Sequence, residues 1–98
     1  MDALLQQRIN RRKQNLIEIK EELADRLQLE VSPENIDDDT YLFGGGLQLD
    51  SIDSMEIIIG MQAKFGVEIP EGDIAPLRTI NTLADLVEAH QLKVSLTA

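Results

Sequence analysis

Apolar residues recur through the first quarter of the chain at Leu5, Ile9, Leu16, Ile19, Leu23 and Leu27, mostly three, four or seven apart, with neither glycine nor proline among them. This period predicts one long helix over residues 3–29. A second helical pattern runs over residues 52–65, where Ile57, Met61 and Phe65 form one stripe and Ile52, Met55 and Ile59 another. Ile57-Ile58-Ile59 alone would suit a strand, but the flanking period favours helix. Gly60 costs about 1 kcal/mol against alanine inside a helix, so it predicts close packing with a neighbouring helix. Gly66 is a C-cap candidate. Thr79 or Asn81 opens a third helix with Leu83, Leu86 and Val87 on its apolar face, His90 in its last turn and a frayed tail after Leu92.

The connections are polar and punctuated. Ser32-Pro33-Glu34 signals a short turn of helix, followed by the acidic run Asp37-Asp38-Asp39. Tyr41-Leu42-Phe43 supplies apolar anchors that tie this loop to the core, and Gly44-Gly45-Gly46 permits positive φ. Residues 70–74 suggest another short helical turn, interrupted by Pro76. The reading is an all-α bundle of three main helices plus one short helix, with a long loop between helices one and two.

Composition narrows the picture. Ninety-eight residues fit a single domain, 1–98, in which 1–14 form a basic N-terminal extension of the first helix that can fray and 93–98 a frayed tail. The hydrophobic fraction is 43% but aromatics are 3%, so the core is built from aliphatic side chains and methionine. A net charge of −9 excludes ordinary nucleic-acid binding and favours partners with basic surfaces. The chain has no cysteine and hence no thiol or disulfide of its own. No stretch reaches membrane-spanning length and no signal-peptide core opens the chain, so a cytoplasmic monomer without stable membrane insertion is expected. The cluster Arg8, Arg11, Arg12 and Lys13 is expected to be a solvated helix face.

The chemistry concentrates at Leu49-Asp50-Ser51-Ile52-Asp53-Ser54-Met55-Glu56. Here a hydroxyl meets a loop-to-helix junction, where free backbone N–H groups and the helix dipole favour an anion. Asp50 or Ser51 can cap the helix, and a purely structural cap is the plainest use of such residues. A hydrolase nucleophile would need a base and a Gly-x-Ser-x-Gly elbow, and Leu49 and Asp53 occupy the flanking sites. The three adjacent acids lack the alternating spacing and turn glycine of a calcium loop, so a solvated loop is expected there, and no Gly-Lys-Ser/Thr follows the glycines. No metal site and no catalytic residue is expected.

Asp50-Ser51-Ile52-Asp53 resembles the Asp-Ser-Leu/Ile-Asp signature of acyl carrier proteins. The likeness extends over the loop Ile36–Thr40, Leu42-Phe43, Phe65-Gly66-Val67-Glu68-Ile69-Pro70 and Thr79 to His90, roughly residues 15–92. It implies a carrier whose Ser51 bears 4'-phosphopantetheine taken from coenzyme A, and which holds acyl chains as thioesters for fatty-acid, polyketide or unusual-lipid biosynthesis. It further implies that Asp50, Asp53 and Glu56, with the apolar Ile52, Met55 and Ile59, present helix two to a phosphopantetheinyl transferase and to acyl-transferring and condensing enzymes. Gln62-Ala63-Lys64, where fatty-acid carriers often show acids, and the basic N-terminal stretch point to a specialised rather than a housekeeping member. The alternatives are a peptidyl (aminoacyl) carrier and a helical interaction module in which Ser51 is only a cap.

Overall fold

A computed structural model describes residues 2–70 and 75–97. Three helices dominate: α1 (Ala3–Arg26), α2 (Ser51–Phe65) and α3 (Ile80–Thr97). Short 3-10 turns, Pro33–Asn35 and Ala75–Leu77, precede α2 and α3 respectively. Among the described residues there is no strand, only an isolated bridge between Tyr41 and Thr79.

The core follows the helical period. Leu16, Ile19 and Leu23 of α1, Ile57 and Met61 of α2, and Ile80, Leu83, Ala84 and Val87 of α3 are buried together with Ile36, Leu42, Val67, Ile69 and Leu77 from the connections. Its members are aliphatic or methionine, as the composition requires. α1 lies antiparallel to α2: Glu18 meets Lys64 at 3.9 Å near one end, and Arg26 meets Glu56 at 3.5 Å near the other. Gly60 is buried on this seam, where an added Cβ would stand 2.9 Å from Arg26 Nε and 3.1 Å from Glu22 Oε1. The glycine is the space those two paired side chains occupy.

α1 packs on α3 through polar contacts that span the sequence. Asn15 is buried and exchanges two amide hydrogen bonds with Gln91, at 2.9 and 3.1 Å. Arg12 donates to Asp85 at 2.9 Å and to the Asn81 side chain at 2.9 Å, and it also pairs with Glu88 at 3.1 Å. Partial burial works against the Arg12 charge, but its bonds to Asp85 and Glu88 outweigh that and raise its pKa. The basic stretch is therefore not wholly a solvated face. Arg8, Arg11 and Lys13 are exposed, while Arg12 is a tie to α3.

Three local expectations shift. α1 ends at Arg26, where Gln28 takes a positive φ of 54°. α3 continues through Thr97, because no glycine or proline follows Leu92, so His90 lies within the helix rather than in its last turn. Pro76 sits inside the 3-10 turn Ala75–Leu77 instead of interrupting one, and most of the short turn expected at residues 70–74 falls outside the described residues. No described helix is long and apolar enough to cross a membrane.

Candidate attachment site

The loop from 36 to 50 is held at both ends, and this sets where Ser51 stands. Asp38 pairs with Lys20 of α1. Asp39 accepts from the Asn81 side chain at 2.6 Å, and the Asp38 carbonyl accepts from the Asn81 N–H at 2.9 Å. The acidic run is thus a hinge pin between α1 and the start of α3, not simply a solvated loop. Among the described residues no group of three His, Cys, Asp or Glu is placed to hold a metal ion.

Further along, the Leu42 N–H donates to the Arg78 carbonyl at 2.9 Å and the Ile80 N–H to the Thr40 carbonyl at 3.3 Å. Leu42 is fully buried, Phe43 half-buried, and Tyr41 55% exposed. The chain then doubles back: Leu47 N–H donates to Tyr41 and Leu49 N–H to Leu42, at 2.9 and 3.0 Å. The glycines make this turn possible. Gly44 has φ 74°, and a Cβ on Gly46 would lie 1.9 Å from the Tyr41 carbonyl oxygen. Thr79 and Thr82 cap α3 reciprocally, each N–H donating to the other's hydroxyl, at 2.9 and 3.1 Å.

The returning segment of this loop delivers Asp50 to the start of α2. Asp50 is the N-cap: its Oδ1 accepts from the Ile52 and Asp53 N–H groups, both at 3.0 Å. Asp53 reaches back, its Oδ2 accepting from the Asp50 N–H at 3.0 Å, which completes a capping box with Asp in place of the usual Glu. Of the two cap candidates Asp50 is the one used, and Ser51 becomes the first helical residue. Ser51 is exposed, and its hydroxyl has no partner among the described residues. Ser54 donates its hydroxyl to the Ser51 carbonyl at 2.6 Å.

This geometry alters one expectation. The helix end is not an open anion site, because Asp50 already takes two of its first-turn donors and the Ser54 N–H bonds back to the Asp50 carbonyl. Among the described residues the Ser51 N–H is left as the first-turn donor without an acceptor.

Ser51 opens onto a groove of about 500 Å³ lined by Tyr41, Phe43, Leu49, Asp50, Ser54, Leu77 and Arg78. Leu77 and Arg78 enter it because the bonds at Leu42 and Ile80 hold the start of α3 against the loop. Neither residue stood out in the sequence as part of a site. The available signal, a lone cation just ahead of a helix in an acidic chain, is too common to select Arg78.

The two stripes of α2 part company. Ile57 and Met61 are buried, whereas Ile52, Met55 and Ile59 are 71%, 62% and 48% exposed. Together with Asp50, which is exposed, and Asp53 and Glu56, which are half-exposed, they form one outward surface running from Ser51 along the helix.

The family profile described as phosphopantetheine attachment site matches residues 16–87. The acyl carrier protein of Thermosynechococcus vestitus is 36% identical over 72 residues, covering 74% of this chain and 85% of that protein. That of Rubrobacter xylanophilus is 35% identical over 83 residues, covering 82% and 95%. Among solved structures, the chain is similar to a carrier protein from Agrobacterium tumefaciens held in complex with an engineered glycine:[carrier protein] ligase from Bradyrhizobium japonicum and ATP. Their TM-score is 0.63 at 26% identity, over 76% of this chain and 97% of that one. The match runs from the second half of α1 through the loop and α2 into α3, so the chain belongs to the acyl carrier protein family, whose members hold acyl groups on covalently bound 4'-phosphopantetheine.

Proposed function

We propose that Ser51 is the residue that carries the phosphopantetheine. The observation that supports this most is its placement: an exposed hydroxyl free of partners, on the first residue of α2, inside the matched region. A phosphodiester there projects from the surface, and the arm supplies the thiol that the cysteine-free chain lacks. The bundle tethers the thioester and raises its effective concentration at each client's active site. Ile52, Met55 and Ile59 are the apolar contact for the transferase and for acyl-transferring enzymes, and Glu56 with the neighbouring Asp50 and Asp53 supplies charge for their basic surfaces. Their exposure supports this role, since large apolar side chains left open to solvent along one helix face are available to a partner. Gln62, Ala63 and Lys64 are exposed where an acidic surface would otherwise extend this face, which supports specialised clients. A second reading, an aminoacyl cargo, draws on the glycine ligase seen with the Agrobacterium carrier.

The test is loading with coenzyme A, magnesium and a broad-specificity phosphopantetheinyl transferase, read by intact mass. One arm is expected on the parent and on Ser54→Ala, and none on Ser51→Ala. An arm on Ser51→Ala refutes the assignment. Offering the holo protein acyl and aminoacyl donors then separates the two cargo readings.

A further inference from the structure

The three acids on the outward face of α2 are not equivalent. Asp50 and Asp53 accept from backbone N–H groups in the capping box and meet no cation among the described residues. Glu56 differs. Its Oε2 lies 3.5 Å from Nη1 of Arg26, the last residue of α1. A cation from the neighbouring helix therefore stands on one acid of a face otherwise open to partners. The pairing is anchored from both helices. Arg26 Nε donates to Glu22 Oε1 at 2.9 Å, one turn back along α1, so the guanidinium is fixed on its own helix as it reaches across the seam. Gly60 of α2 leaves it the room: a Cβ there would stand 2.9 Å from Arg26 Nε, 3.1 Å from Arg26 Cδ and 3.1 Å from Glu22 Oε1. The hydrogen bond to Glu22 does most to raise the Arg26 pKa, and Glu56 adds to it.

We propose that Arg26 is a positioning residue that sets partner choice: by holding Glu56 it withdraws that charge from partners, and α2 docks through Asp50, Asp53 and the apolar Ile52, Met55 and Ile59. The inference rests on α2 being the docking face. A partner with a lysine or arginine over Glu56 must displace a guanidinium already held by two carboxylates, a pairing whose fork geometry a lysine does not match. A partner whose basic residues gather near Ser51, and whose surface is apolar toward Ile59, meets no such competition. Charges at the margin of an interface act on encounter and on which partner fits, so Arg26 works on binding rather than on the chemical step.

The experiment measures KM and kcat for loading by the broad-specificity transferase, with coenzyme A and magnesium, at low and high salt, beside thermal melts. Arg26→Gln is expected to lower KM for the carrier by about two- to fivefold, the range that an exposed ion pair covers, with kcat held. Gly60→Ala, which keeps every charge but takes the space of the guanidinium, should lower KM in the same direction. Arg26→Lys should recover most of the parent KM. Glu56→Gln should raise KM less in the parent than in Arg26→Gln, where it removes the whole gain. Raising salt should shrink the gain, because exposed charges are screened. A purely structural brace would lower the melting temperature of Arg26→Gln and leave its KM where it was, and that result overturns the proposal. So does a gain in Arg26→Gln that survives Glu56→Gln, which would assign it to Glu22 or to net charge. Met55→Ala and Ile59→Ala separate the two levels. If both keep the parent KM, α2 is not the docking face and the inference falls with that reading. If they raise KM while Arg26 and Glu56 show no coupling, the docking face stands and the role of Arg26 alone is refuted.

Discussion

Asp50 and Asp53 hold each other's backbone across the first turn of α2, Asp50 accepting from the Asp53 N–H and Asp53 accepting from the Asp50 N–H, each at 3.0 Å. The acids that flank Ser51 in the signature are thus also the device that starts its helix. Removing either acid should disturb both jobs. Asp50→Ala is expected to cost about 1 kcal/mol, the usual loss for an N-cap. Asp53→Lys should likewise destabilise, more than a surface substitution remote from structure, which stays within about 0.5 kcal/mol. Thermal melts beside loading rates check this. An Asp53→Lys protein as stable as the parent would show that the capping box contributes nothing measurable.

The two apolar stripes of α2 should separate cleanly in mutagenesis. Ile57→Ala removes a fully buried side chain and is expected to cost about 2–5 kcal/mol. Met55→Ala and Ile59→Ala, both exposed, should shift stability by no more than about 0.5 kcal/mol while slowing transferase loading and client acylation. Denaturant midpoints and transfer rates, measured on the same preparations, decide it. Unchanged rates in both exposed variants would remove this face from partner recognition.

Gly46 and Gly45 offer a matched pair. A Cβ on Gly46 meets the Tyr41 carbonyl, carbon and nitrogen at 1.9, 2.7 and 2.9 Å, whereas one on Gly45 meets nothing within 4 Å. Gly46→Ala must push the turn apart and should cost on the order of 1–3 kcal/mol, as overpacking does. Gly45→Ala should be near neutral. Because the same turn delivers Leu49 and Asp50, Gly46→Ala should also slow loading of Ser51. Equal melting temperatures for the two variants would contradict the close approach.

Arg12 ties α1 to three residues of α3, yet its side chain is 29% exposed. Solvent screening limits each exposed ion pair to about 0–1 kcal/mol. Arg12→Met is therefore expected to cost about 1 kcal/mol in all, or roughly 4–8 °C in a domain of this size. A double-mutant cycle with Glu88→Gln, repeated at high salt, should show coupling that shrinks as salt rises. Coupling absent at low salt would mean that Arg12 merely lies on α3.

The chain by itself determined the three helices, the loop between the first two, the short proline turn at Pro33 and the junction at Ser51. These are local matters: apolar period, caps and breakers act within one or two turns, and the residues that settle them are neighbours in sequence. The C-cap at Gly66 was legible for the same reason, and the structure gives it a φ of 71°. Tertiary structure decided the rest. α2 carries two apolar stripes, and only packing against α1 and the connecting segments selects Ile57 and Met61 for the core and leaves Ile52, Met55 and Ile59 outside. Arg12 and Asp38 read as solvated charges until α3 brings Asp85, Glu88 and Asn81 to one and α1 brings Lys20 to the other. The groove at Ser51 needs Arg78 and Leu77 against the 41–49 loop, which depends on the Leu42 and Ile80 backbone bonds. Such contacts join residues from 18 positions apart, Lys20 and Asp38, to more than seventy, Arg12 and Asp85. No periodicity records them, because their partners are chosen by how the helices close on a shared core.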